Sequence, residues 1–587
     1  MSLSVLLVFL LGVFVLWKPM AKFLLGTGRL DEVAGPRKEH WLTGNFHRLF
    51  RDGYSYHDQL VRQYGGVCKV HGMLGVANLM VSDPRALHQI VVKEQDVYQE
   101  TDMFLISNRL IFGEGLISTV GEQHKKQRKM LNSVFSLANM RAVLPVIQPI
   151  ADTLLGQLCA ALPEDGGAKE IDVLPWMARG TLEYVGRGIL GISLGTLDPS
   201  EAGEYIGYAN AIRSINPVGM KLRSLRPFIP MIVRNISRFW RNKLVDWLPV
   251  PALRDMRDIS YVLHASARRM IEEKKVEMER GDGSKKKHLM NIMLQANMST
   301  SETDRLTEDE LIGQINTLFL GGQETTTSAL ARILHILAGE QSAQARLRAE
   351  VRQAKLALAA EGLERVSLPY DALVSLPYLD AVVRETLRLY PPTNLLNRTA
   401  TKDATLPLEF PVRSTSGRLL HAIHVPAGTN ILMDLLGANR NREVWGEDAA
   451  EWRPERWLGA SRNRYGSGSL DLAFGEEAPE RVMDATPGSK RGIRYPGVYA
   501  SMMTFLGGSR ACIGFKFAEM EIKQIISTLV SQVHFALPSA MNEEGIRKEI
   551  HWRMDGLQVP VVRPPHGDLT TMQVPLDIRS VRETDFL

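Results

Sequence analysis

Between residues 122 and 290 the apolar positions of this chain follow mostly helical spacing. A second run, Leu311, Ile312, Ile315, Leu318 and Phe319, resumes at Leu330, Ile333, Leu334 and Leu337 and predicts one long helix, amphipathic or buried. It opens at Thr307-Glu308-Asp309-Glu310, a Thr-x-x-Glu capping box that satisfies two orphan N–H donors reciprocally. Phe517, Met520, Ile522, Ile525, Ile526 and Leu529 predict another helix over 515–530. Strand-like runs are short, for example 67–71, 77–81, 412–425 and 559–562. The pattern predicts a mainly α fold with a small β region.

The first residues depart from this pattern. Residues 3–17 carry no charge and are mostly Leu, Val and Phe, and Lys18, Lys22, Arg29, Arg37 and Lys38 follow. That run falls short of the roughly 20 residues needed to span a bilayer. Counting on through Leu25 supplies the length, with Lys18 and Lys22 snorkelling. A cleaved signal peptide would start with a basic side chain and end at a small-x-small site. The start has no basic side chain, and Gly26-Thr27-Gly28 is a poor site. We expect an uncleaved anchor over residues 1–28 and a body over 29–587, placed in the cytosol by the basic flank. The Asn-x-Ser/Thr triplets at Asn235, Asn297 and Asn397 would then stay unmodified.

The 587 residues are 45% hydrophobic and 23% charged, ample for a large core, with no internal repeat. The net charge of +5 is mild for this length and does not suggest nucleic acid. Three scattered cysteines, Cys68, Cys159 and Cys512, are too few for a disulfide framework or a Cys-x-x-Cys metal site. A reducing compartment fits. Residues 280–287 read as a solvated polar loop, and 459–496 as a long polar insertion.

Cys512 carries the chemistry. It stands in Phe505-Leu506-Gly507-Gly508-Ser509-Arg510-Ala511-Cys512-Ile513-Gly514. Gly508 and Gly514 remove bulk and permit positive φ, so the backbone can turn tightly against a flat ligand. The predicted helix after it places Cys512 at a helix N-terminus, where the dipole favours a thiolate. The run resembles the haem-binding loop of the cytochrome P450 monooxygenases, Phe-x-x-Gly-x-Arg-x-Cys-x-Gly, without departure. A thiolate on haem iron favours O–O cleavage.

Other segments test the resemblance. Gly321-Gly322-Gln323-Glu324-Thr325-Thr326-Thr327 interrupts the long helix with two glycines, each costing about 1 kcal/mol. Gly321 and Thr325 share a face, and the missing side chains at Gly321 and Gly322 would leave a pocket. There the Thr325 hydroxyl could hold a water or an oxygen molecule while Glu324 feeds protons. The bland reading is a kink relieved by threonine hydroxyls. The run resembles the family's oxygen-activation motif. Glu385 and Arg388 in Arg384-Glu385-Thr386-Leu387-Arg388 are similar to its Glu-x-x-Arg motif, and Arg456 in Trp452–Trp457 matches the third partner. These three would form a buried, fold-specifying cluster.

The resemblance implies a single mainly α domain with a small β region, the haem (haem b) lying between a long distal helix and the cysteine-loop helix. Cys512 would ligate the iron, with Phe505, Gly508 and Gly514 shaping the loop. Arg510, Arg398, and the pair His124 and Arg128 at i,i+4 would hold the propionates; His124 stands where the family often has tryptophan. Thr325 and Glu324 would serve proton delivery. Arg494–Tyr499 and the His-x-x-x-Arg pair are similar to fungal members, which implies specialised metabolism and an endoplasmic-reticulum membrane location. No convincing Gly-x-Gly-x-x-Gly follows a strand, so electrons from NADPH would arrive through a separate flavoprotein reductase.

The expected reaction inserts one atom of O2 into an apolar substrate. A haem-thiolate isomerase or dehydratase would not need the Gly-Gly-x-Glu-Thr-Thr run, and a non-catalytic haem sensor would need no acid–threonine pair. Pocket walls are expected from residues 102–119, 319–325, 392–396 and 556–558. Lys125, Lys126 and Lys129 would face outward and dock the acidic reductase. Residues 205–245 hold eight basic residues, no acidic one, and interleaved Phe228, Phe239 and Trp240, as suits a surface dipping into an anionic bilayer.

Overall fold

The computed structural model describes residues 30–51, 53–198, 205–223, 225–280, 288–301, 304–360, 367–458, 493–582 and 585. The proposed anchor, the loop over 281–287 and most of the 459–496 insertion lie outside the described residues.

Helices dominate. The central one, Glu308–Gly339, runs 32 residues without a break, through both glycines. Its start is the predicted capping box: Thr307 Oγ1 accepts from Glu310 N at 3.3 Å, and Glu310 Oε2 accepts from Thr307 N at 2.9 Å. Most of its side chains are buried, and several of its polar ones find partners. Gln314 Oε1 accepts from Leu116 N at 3.1 Å, and Asn316 Oδ1 accepts from the Tyr208 hydroxyl at 2.9 Å. The helix Leu137–Ala160 is apolar and long enough to cross a bilayer, but Met140, Val143, Leu144, Ile147 and Ile150 sit in the protein core.

The strands, numbered in chain order, are short. β1 (Val67–His71), β2 (Ala77–Val81) and β3 (Tyr98–Gln99) precede β4 (Lys169–Asp172). Then follow β5 (Leu395–Ala400), β6 (Ala404–Arg413), β7 (Leu419–Val425), β8 (Asn430–Asp434) and β9 (Val533–Ala536). β10 (Ile550–Asp555), β11 (Leu557–Val562) and β12 (Pro575–Ser580) end the chain. One sheet has the order β1-β2-β8-β5-β3, another β4-β12-β9, and β6-β7 and β10-β11 are hairpins. The run read as strand over 412–425 covers the end of β6, a turn and all of β7: in the turn Ser414 N donates to Arg418 O at 2.8 Å, and Gly417 takes φ +85°.

Cys68 belongs to a small core between the first sheet and the N-terminal helices, with Tyr56, Leu60, Val70 and Met80. Burial and the nearby Asp434 push its thiol up to about 12. It is an inert core residue.

Candidate active site

Cys512 sits three residues before the helix Phe515–Gln532. Its own N–H donates to Phe505 O at 2.9 Å and closes the loop. The glycines earn their places unequally. Gly508 takes φ +69°, and a Cβ there would lie 1.7 Å from Val91 O. Gly507, which the motif reading passed over, is as constrained, 1.8 Å from Pro496 O. Gly514 differs from expectation: its φ is −93°, and its nearest neighbour is Phe135 Cε1 at 3.9 Å. It serves as the helix cap, and its N–H bonds the sulfur. Phe505 packs edge-on to Tyr499, ring centres 5.4 Å apart. Protein atoms crowd the Cys512 sulfur although the residue keeps open surface. Burial raises the thiol pKa; the Gly514 N–H and Arg128 oppose it.

Cations surround this loop. Arg128 Nη1 donates to Ala511 O at 2.8 Å, tying its helix to the residue before the cysteine. Arg510 Nη2 donates to Thr119 O at 2.6 Å. Arg398 pairs with Glu100 at 2.6 Å, and Arg510 approaches the same carboxylate at 3.9 Å. His124 is buried; burial, then Arg510 and Arg128, push its pKa down to about 3 and leave the ring neutral. His124, Arg398, Arg510, Ser509 and Glu100 line one small cleft. Glu100 had no signal in the sequence, because it meets the arginines only through β3 and β5. Three guanidiniums, one neutral imidazole and one carboxylate leave an excess of positive charge. That set fits a group carrying a thiolate-binding metal and two carboxylates.

A second, larger cavity has a volume of about 1180 Å³. Gly321, Glu324 and Thr325 of the central helix line it, as do Leu557 and the helix Asp102–Phe112. No residue of 392–396 lines this cavity, contrary to expectation; Thr393 instead bridges to Leu557 and backs it. The missed part is the roof, including Ile215, Leu222, Ile229, Ile232 and Leu244. Gly321 has open space where its Cβ would be, as expected, but Gly322 does not. A Cβ there would stand 2.8 Å from Val185, so Gly322 admits a neighbouring helix rather than forming a pocket. Thr325 Oγ1 donates to Gly321 O at 2.7 Å. Glu324 accepts from Asn216 Nδ2, and burial pushes its carboxyl up to about 7. A carboxyl poised there can both give and take a proton near neutral pH.

The Glu-x-x-Arg cluster is assembled as expected. Arg388 holds both oxygens of Glu385, at 2.9 and 2.8 Å, and Arg456 reaches it at 3.3 Å. Trp457 Nε1 and Arg453 N add donors at 3.0 and 3.1 Å. Burial would raise the Glu385 pKa, but Arg388 and Arg456 overcome it and hold the carboxyl below its ordinary range. Asp448, 3.1 Å from Arg456, is a fourth member that sequence reading missed. Removing one partner would strand a buried charge at a cost of about 3–5 kcal/mol.

The cytochrome P450 family model matches residues 34–559, and the chain belongs to this family. It is 40% identical over 562 residues to cytochrome P450 monooxygenase 91 of Postia placenta, covering 94% of this chain and 95% of the relative. It is 36% identical to monooxygenase 219 of the same fungus, covering 94% and 93%. It is 32% identical to a Ganoderma lucidum protein named ganoderic acid synthetase CYP5150L8, covering 94% of each. The chain is a P450 monooxygenase, an oxidoreductase of the haem-thiolate class that works with O2 and a redox partner.

Proposed function

We propose that the cofactor is haem b, ligated by Cys512, and that Arg398, Arg510, Arg128 and His124 hold its propionates. The placement of Cys512 ahead of a helix, beside an excess of cations, carries this reading. When bound, the haem supplies the activation of O2 and the oxidising power for insertion into a C–H bond. The protein's own work is positioning and proton handling. Glu324 exchanges protons with the cavity, Asn216 orients its carboxylate, and Thr325, the next residue along the helix, also lines the cavity. Apolar roof residues exclude water and hold a greasy substrate.

The electron donor is an NADPH-dependent flavoprotein reductase. Lys125 and Lys129 are exposed on the helix whose opposite face carries His124 and Arg128, which favours this face for docking. The enzyme is held at the endoplasmic-reticulum membrane by residues 1–28, with 29–587 forming the cytosolic catalytic body. Exposed Phe239, Trp240 and Trp247 beside the cavity roof support a second membrane contact. The role is fungal specialised metabolism, and a terpenoid-type substrate is supported by the name of the Ganoderma relative.

The reduced, carbon-monoxide-bound protein should show the red-shifted Soret band of thiolate ligation. Cys512→Ala should abolish it while Cys68→Ala and Cys159→Ala keep it. An unchanged band in the Cys512 variant removes the assignment.

A further inference from the structure

The basic segment 205–245 divides into two sets. Arg223 and Arg234 lie outside the cavity lining, whereas Arg226, Arg238 and Arg241 line it. Arg226 opens the short turn Arg226–Phe228 that follows the roof helix Ile206–Lys221. Its guanidinium crosses Gly219 of that helix, with Nη2 only 2.7 Å from where a Cβ would stand. Any larger residue at 219 would displace the guanidinium.

Arg226 has no ionic or hydrogen-bonding partner among the described residues; the residue keeps exposed surface, although atoms crowding its guanidinium lower its pKa. Arg238 likewise makes no ion pair among them. Arg241 gives one bond to a backbone carbonyl, Val233 O, at 3.0 Å.

The other charges of the cavity do not answer these cations. Arg257 is taken by Asp246 at 2.6 Å, and Arg268 by Glu308 at 2.9 Å. Asp309 faces Arg268 at 3.7 Å. Glu114 meets Gln123 at 3.4 Å, and Arg109 donates to Ser118 O at 3.2 Å. Glu324 is about half protonated near pH 7. His264 is held neutral by burial, with Arg268 and Arg238 acting in the same direction. The roof is therefore electropositive over apolar walls. A guanidinium at a cavity wall with no anion beside it is free to take one, and its planar fork matches a carboxylate.

We propose that this cavity selects substrates pairing a large apolar skeleton with a carboxylate, that Arg226 holds the carboxylate, and that Arg238 and Arg241 add positive potential. The proposal rests on the reading of this cavity as the substrate site. The carboxylate sits at the roof, and the apolar skeleton extends toward Gly321, Glu324 and Thr325.

The test is a titration of the full-length, haem-loaded protein in neutral detergent at pH 7.5, following the Soret shift that substrates induce. The probes are dehydroabietic acid and palmitic acid, each against its methyl ester, with a neutral sterol alongside. The wild type should prefer each acid over its ester by about ten- to hundred-fold, the range of a charge-assisted hydrogen bond. Arg226→Ala should lose most of that preference, and Arg226→Lys should keep part of it. Arg226→Glu should reverse it, while Arg223→Glu, the same charge change outside the cavity, should leave it intact. Equal binding of acid and ester by the wild type overturns the proposal but leaves the substrate-site reading standing, as does a response to the sterol alone. No response to any probe overturns both. If Arg226→Glu weakens binding to anionic vesicles with the acid preference untouched, Arg226 serves the bilayer and the proposal is wrong.

Discussion

Glu324→Gln tests the proton-handling role proposed for this carboxyl against a packing role. The wild-type carboxyl is held at about 7, above its ordinary 4.5, because burial disfavours its charged form. A raised carboxyl pKa imposes no penalty below about 4.5; the penalty builds as the unfolded carboxyl ionises between about 4.5 and about 7 and is constant above that. That difference is worth about 3 kcal/mol in a closed site, and contact with the open cavity reduces it to about 1–2 kcal/mol. Glutamine keeps the shape and cannot ionise. Glu324→Gln should therefore be more stable than the wild type by about 1–2 kcal/mol at pH 8 and close to equal at pH 4, below the ordinary carboxyl value of 4.5. Urea unfolding at both pH values measures this. Function should move the other way. Reductase-driven turnover by the variant should release most NADPH electrons as peroxide or water, with product per NADPH down about ten- to hundred-fold. Its residual activity should lose the wild-type inflection near pH 7. Thr325→Ala is the companion: haem and substrate binding kept, electrons diverted, pH inflection retained. Equal stability of Glu324→Gln and wild type at pH 8, with normal coupling, would refute the reasoning.

Changing Lys125, Lys126 and Lys129 together to Glu should slow electron transfer from the reductase, most visibly at low salt, and spare peroxide-driven turnover; equal loss in both assays would mean misfolding instead. With residues 1–28 deleted, the protein should still bind anionic vesicles, and Phe239→Asp with Trp240→Asp, exposed by 63% and 54%, should abolish that binding while haem incorporation stays normal. No vesicle binding by the anchorless protein would exclude the second membrane contact.

Much of the fold and site was legible in the sequence, for identifiable reasons. The long helix announced itself through apolar spacing and a capping box, both local and both fixed by backbone geometry. Cys512, Gly508, Glu385, Arg388 and Arg456 were legible because short-range spacing sets a loop shape or a helix face. Where local rules misled, a distant contact decided. Gly322 reads like a pocket residue beside Gly321, but Val185 of another helix fills its space. Gly514 reads like a positive-φ glycine and is a helix cap. Glu100, Asp448 and Asn216 bear no motif, and each gains its partner only when strands or helices far apart in sequence pack together. The sequence by itself determined the class of chemistry, because the motifs that carry the family resemblance are local objects. The tertiary structure alone decided the cavity roof, the split between outward-facing and cavity-facing arginines, and the poised acidity of Glu324. Burial and charge are sums over everything nearby, and proximity in space is not written in chain order.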